Sequence, residues 1–103
     1  MKEALENFAG IEAENKIAIL GDMLELGEAS FEEHYAMAKY AQTLHFRKLV
    51  LVGKEFGKVH DKIDCIHFDT TEDARDWYSR QHFRHATFLL KGSRGIALEK
   101  ILE

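Results

Sequence analysis

The chain contains no proline and a single cysteine, Cys65. Without proline nothing marks a rigid linker, and with one cysteine an intramolecular disulfide is excluded, so no oxidising compartment is indicated. Cys65 lies in the strand-like run DCIHF (64–68) and reads as a small buried apolar side chain with no chemistry of its own. Positive charge is in short supply: 14 Lys and Arg face 18 Asp and Glu, for a formal net charge of -4. Such a balance gives no basic field for nucleic acid or anionic lipid, so any anion must be met by a local cluster. Long apolar runs are missing too. The first ten residues, MKEALENFAG, carry two glutamates and resemble neither a signal peptide nor a membrane span, which makes the cytoplasm the expected compartment.

What is present is the balance of a soluble globular protein, with 46% apolar and 31% charged residues over 103 positions. That length supports a single domain, residues 1–103, with one modest core. Ala4, Leu5 and Phe8 share one side of a short first helix that ends at Gly10. KIAIL (16–20), KLVLVG (48–53), CIHF (65–68) and ATFLL (86–90) read as strands. Between the first two, Ser30 with Glu33 three residues on forms a capping-box pattern, and Phe31, Tyr35, Ala38, Ala41 and Leu44 supply an apolar helical stripe. A short helical stretch is expected around 55–60. Thr70 or Thr71 caps a further helix whose inner face is Ala74, Trp77 and Tyr78, and Ile96, Ala97, Leu98, Ile101 and Leu102 outline a closing one.

Strands alternating with helices, each strand a continuous apolar run, predict an α/β fold: a three-layer α/β/α Rossmann-like domain with a mainly parallel sheet. Right-handed crossovers limit the topology, and one order open to it, the doubly wound one, is fourth, first, second, third strand. Ligands then belong beyond the carboxyl ends, where the strand order reverses between the first and fourth strands. Two loops meet there, GDMLELG (21–27) and KGSRG (91–95).

In KGSRG, Arg94 can hold a carboxylate through paired hydrogen bonds, Ser93 can donate one more, Lys91 acts as a point charge, and Gly92 allows close backbone approach. The segment reads equally as a solvated turn capped by Ser93. Asp22, just past a strand end, is placed either to orient an amine or a ribose hydroxyl, or to bond backbone amides of its own turn. GKEFGK (53–58) fails as a phosphate-binding P-loop, because its glycines are one residue too close and Val59 replaces the magnesium-binding Ser or Thr. No G-x-G-x-x-G fingerprint is present. His82 and His85 lack the further ligands a metal site needs, so no metal is expected. His34 falls inside the apolar stripe and reads as a hydrogen-bonded histidine that fixes the neighbouring loop.

KIAILGDMLELGEASFEEH (16–34), KLVLVG (48–53) and LLKGSRGIALEKILE (89–103) together resemble the carboxy-terminal domain of the Mur ligase family, in the branch that handles D-alanyl-D-alanine. The resemblance covers essentially the whole chain. It implies ATP-dependent amide synthesis in the cytoplasmic stage of peptidoglycan assembly, in which a UDP-N-acetylmuramoyl-tripeptide carboxylate becomes an acyl phosphate that the dipeptide amine attacks. Such ligases have an N-terminal domain for the UDP-sugar and a central one for ATP and Mg2+. Both are absent from this chain, as is the D-x-Y-N-A-N-P motif expected upstream of Met1. By position, the resemblance assigns Lys91, Gly92, Ser93 and Arg94 to D-Ala-D-Ala, puts Asp22 in the same cleft and His34 in support; Gly95 stands where relatives often have serine. The chain alone is expected to be inactive, with no tightly bound cofactor, no nucleic acid and no membrane partner. If the upstream strand is absent, the fourth strand exposes an edge that can pair with a second copy. The other readings are a stand-alone anion- or nucleotide-binding regulatory module and a structural interaction domain without a ligand.

Overall fold

A computed structural model describes residues 1–24 and 26–102, with the backbone but not the side chain of Arg94. Four strands, Lys16–Gly21 (β1), Lys48–Val52 (β2), Ile66–Phe68 (β3) and Thr87–Lys91 (β4), form one sheet in the order β3-β2-β1-β4. Every neighbouring pair is parallel, with Ile19 opposite Val50 on one side and Leu90 on the other. Both faces are covered, which explains why the strand sequences are continuously apolar rather than alternating.

Side chains of successive strand residues point to opposite faces, and the core divides accordingly. Ala18, Leu20, Leu49 and Leu51 pack with Leu5 and Phe8 of helix α1 (Lys2–Ala9), Ala38 and Ala41 of α2 (Ser30–Thr43), and Phe56 of α3 (Lys54–Gly57). Ile17, Ile19, Val50 and Val52 pack instead with Ala74 of α4 (Thr71–Ser79) and with Leu98 and Ile101. Each fully buried Val, Leu, Ile or Phe among them contributes about 1.5–3 kcal/mol. The carbonyls left over at the end of α1 are met by Lys16, whose Nζ donates to Phe8, Ala9 and Ile11 oxygens at 3.3, 2.8 and 2.9 Å.

The path from β1 through α2, β2 and α3 to β3 moves outward over one face. α4 then carries the chain back across the other face to β4, on the far side of β1. Strand order therefore reverses between β1 and β4, as expected for the doubly wound order. β4 ends the row, and its outer edge has no pairing strand among the described residues.

Three local expectations change. Ser30 does not cap α2: a 3-10 turn, Gly27–Ala29, leads directly into the helix, Ala29 occupies the cap position, and Ser30 is already helical at φ -56° and ψ -49°. Phe31, in the first turn of α2, is 45% exposed, although it lies seven residues before the buried Ala38 and so on nearly the same face. The closing helix is two 3-10 segments, Arg94–Ile96 and Leu98–Leu102, divided at Ala97, whose φ of 54° interrupts a helical path. The Thr70 cap does form, with Thr70 Oγ1 accepting the Asp73 amide at 3.1 Å. No described helix is long and apolar enough to cross a membrane.

Cys65, half-buried just before β3, donates its Sγ–H to the His60 carbonyl at 3.7 Å. Burial, assisted by the Asp64 carboxylate, pushes its thiol up to about 11. The thiolate fraction at pH 8 is then about a hundredfold below that of an unhindered cysteine. Alkylation of the native chain with iodoacetamide should be slower than that of a free cysteine peptide by about the same factor. A native rate matching the peptide's would contradict this environment.

Candidate functional site

The carboxyl ends of β1 and β4 bring residues 21–24 and 91–95 together at the reversal point. Glycine makes the approach possible: a Cβ on Gly92 would lie 2.9 Å from Gly21 Cα, against backbone that cannot move aside as a side chain can. The Ser93 amide then donates to the Asp22 carbonyl at 3.1 Å.

Three successive amides of the first loop go to three different elements. Asp22 N–H donates to Val52 O on β2 at 3.0 Å, Met23 N–H to His34 Nε2 on α2 at 2.9 Å, and Leu24 N–H to Ser93 Oγ at 2.8 Å. With the amides of Asp22, Met23 and Leu24 committed, this stretch has little freedom left, so whatever it presents is held in place before a ligand arrives.

His34 is fully buried, with its ring edge-on to Phe56 at a centroid distance of 4.6 Å. Its Nε2 accepts the Met23 amide, so the proton sits on Nδ1, which donates to the Ser30 carbonyl at 2.7 Å. With Nε2 acting as an acceptor, its 3.9 Å approach to Asp22 Oδ1 is a packing contact rather than an ion pair. Histidine is thus the side chain that joins the start of α2 to the loop. Ser30 Oγ donates to Glu55 Oε1 at 2.6 Å, and Lys58 Nζ sits 2.9 Å from Glu55 Oε2. The Ser30 hydrogen bond first, and the Lys58 contact second, hold the Glu55 carboxyl below the usual carboxylate range.

Asp22, expected to line the cleft, turns its carboxylate inward. It is 4% exposed, and its two oxygens accept the Glu55 and Phe56 amides at 3.0 and 2.9 Å. Those are orphan donors at the start of α3, a natural seat for a carboxylate. Gly53 makes the seat accessible. At φ 121° and ψ 164° it adopts a conformation open essentially to glycine alone, and a Cβ there would fall 2.2 Å from Asp22 Cγ. The sequence signals for this arrangement are a glycine directly after β2 and an aspartate directly after the β1 glycine, but nothing local pairs them.

Lys91 is exposed at the end of β4, opposite Leu20, and forms no ion pair among the described residues. Gly92 and Ser93 stand beside Asp22 as above, and the backbone of Arg94 begins the 3-10 segment that follows, while its side chain lies outside the described residues. The structure therefore gathers the backbones of Asp22, Lys91, Gly92, Ser93 and Arg94 at one end of the sheet and reaches them with His34, while the Asp22 carboxylate faces away. A cleft of about 330 Å³ opens at the same end between Gly53, the start of α4 at Thr70–Glu72, and Gly95–Ala97. A second cavity, of about 530 Å³, lies at the opposite end around His45, Arg47 and Cys65. His82 and His85 join no group of three or more His, Cys, Asp or Glu side chains suited to a metal among the described residues.

No protein-family profile matches the chain. The UDP-N-acetylmuramoyl-tripeptide--D-alanyl-D-alanine ligase of Rickettsia prowazekii is 34% identical over 107 aligned positions, which cover 100% of this chain and 24% of that ligase. The ligase of the same name from Treponema pallidum is 31% identical over 108 positions, covering 98% of the chain and 24% of its own length. Among solved structures, crystal structure I of MurF from Acinetobacter baumannii superposes with a TM-score of 0.83 at 23% identity, over 99% of this chain and 23% of that one. Crystal structure II of the same protein gives 0.77 at 25% identity. The chain thus spans about a quarter of the length of the proteins it matches.

Proposed function

This chain is a homologue, along its whole length, of the Mur ligases that use D-alanyl-D-alanine, and we propose from that premise that it is the part of such a ligase that positions the incoming dipeptide. One observation carries the reading: residues 21–24 and 91–95 converge at the reversal point, with Gly92 against Gly21 and Ser93 bonded to both Asp22 and Leu24.

In this reading the cationic Lys91 and Arg94 take the dipeptide's terminal carboxylate, and the Ser93 hydroxyl, which accepts from Leu24, retains a proton to donate to it. His34 and Asp22 position the loop without touching substrate. The whole ligase would join the dipeptide to the UDP-N-acetylmuramoyl-tripeptide in the cytoplasm, and the chain's share is orientation and the exclusion of water. ATP and Mg2+ would serve the intact enzyme through its other parts. The start of α3 does not fit a triphosphate, since its amides are already occupied by the Asp22 carboxylate. A stand-alone nucleotide-binding module would need a cradle of that kind.

Two measurements test this. The chain mixed with ATP, Mg2+, UDP-tripeptide and D-Ala-D-Ala should release no phosphate above background; turnover would overturn the assignment of catalysis to other parts of the enzyme. Titrating D-Ala-D-Ala into the labelled chain should shift the amide resonances of 21–24 and 91–95. Lys91→Ala should weaken that binding about tenfold, the worth of one exposed charge-assisted hydrogen bond. Unmoved resonances in both loops would end the proposal.

A further inference from the structure

We infer that Leu24 is the apolar wall of the dipeptide seat and sets its preference for a dipeptide that carries methyl groups. The inference rests on the reading of the two loops as that seat. A carboxylate held by Lys91 and Ser93 anchors any dipeptide equally well, because glycylglycine and D-Ala-D-Ala have the same charged ends and the same peptide bond. Discrimination between them has to come from apolar surface next to the anchor.

Leu24 supplies such surface. It is 44% exposed, the one strongly exposed large apolar side chain among the described residues of the two loops, where Met23 and Leu26 are half-buried. Scattered exposed leucines are ordinary and mean little by themselves. This one has its backbone held and its tip beside the other loop. Its amide is bonded to Ser93 Oγ, the hydroxyl assigned to the carboxylate, and its Cδ1 lies 3.0 Å from where a Cβ on Gly95 would stand. The leucine thus reaches from its own loop across to the other, over a glycine that leaves room for it. Gly95 reads accordingly as the partner that seats Leu24, since a side chain there must push the leucine tip aside.

The test is a titration of the chain with D-Ala-D-Ala and with glycylglycine, for the native sequence and for Leu24→Ala, Leu24→Met and Gly95→Ala. One apolar contact in a pocket discriminates by roughly 10- to 200-fold, and a half-open wall belongs at the low end. The native chain should favour D-Ala-D-Ala about tenfold, and Leu24→Ala should reduce that to about twofold while leaving glycylglycine affinity unchanged. Leu24→Met should restore most of the preference, and Gly95→Ala should lower it. If Leu24→Ala retains the full preference, or weakens both dipeptides alike, the inference fails while the reading of the loops stands. If the native chain binds neither dipeptide, the reading fails first and takes the inference with it.

Discussion

Gly53→Ala is expected to destabilise the chain by on the order of 3–5 kcal/mol, against a total of about 5–15 kcal/mol for a domain of this kind. Two costs combine. Alanine at φ 121° and ψ 164° is strained by about 1–3 kcal/mol, and its Cβ would sit 2.2–2.4 Å from the three carboxylate atoms of Asp22. The carboxylate must then leave α3, stranding the Glu55 and Phe56 amides. Water cannot rescue the second of these, because Phe56 is fully buried, and an unsatisfied buried donor costs about 1–3 kcal/mol. Urea denaturation followed by far-UV circular dichroism should show the midpoint fall by more than about 1 M. A loss under about 1 kcal/mol would show that the carboxylate does not depend on this glycine. A double-mutant cycle separates the causes. With Asp22→Ala already in place the clash has no target, so adding Gly53→Ala should cost only the backbone strain, and the two changes should be strongly non-additive.

Gly92→Ala is expected to act on binding more than on stability. No left-handed φ is involved at Gly92, so alanine meets no conformational penalty there. Its Cβ would instead stand 2.9, 3.1 and 3.1 Å from Gly21 Cα, C and N. Backbone has no rotamer with which to yield, so the two loops must part by several tenths of an ångström. The bonds at risk are Ser93 N to Asp22 O and Leu24 N to Ser93 Oγ, which align the two loops. The Leu24–Ser93 bond is exposed, so water replaces a lost partner there, and losing the Ser93–Asp22 bond should cost about 1 kcal/mol of stability. Affinity for D-Ala-D-Ala should fall at least about tenfold, because preorganisation of the seat is lost. Gly10→Ala is the control: its added Cβ meets only two carbonyl oxygens at 3.6 and 3.7 Å, so both stability and binding should stay near native. Equal dipeptide affinity in the native and Gly92→Ala chains would break the link between loop spacing and recognition.

Both changes concern glycines at strand ends, yet they differ in what each glycine accommodates. Gly53 yields space to a side chain from a neighbouring strand end, while Gly92 yields it to backbone. Composition cannot make that distinction, since all seven glycines in the sequence look alike.

What the sequence determined by itself was the order of elements and the place where a ligand belongs. KIAIL, KLVLVG, CIHF and ATFLL mark β1 to β4 to within one residue at each end. A strand buried on both faces must be apolar throughout, and right-handed crossovers leave few ways to order four such strands. For a doubly wound order, the reversal falls between β1 and β4, and with it the meeting of GDMLELG and KGSRG; the assembled sheet has that order.

The tertiary structure alone decided how the side chains at that meeting point are used. Asp22 accepts amides 33 and 34 positions away, His34 accepts one 11 positions away, and Ser30 is drawn from its expected cap to Glu55, 25 positions on. Each choice depends on which unpaired donor or acceptor packing brings within hydrogen-bond reach, and packing is a property of the assembled layers rather than of any local segment. Burial acts in the same way: His34, Ala38 and Ala41 of α2 are buried, while Phe31 stays exposed in the first turn although it shares their side of the helix. Local pattern locates apolar runs and turns, whereas the partner of a buried polar atom exists only once distant backbone has arrived beside it.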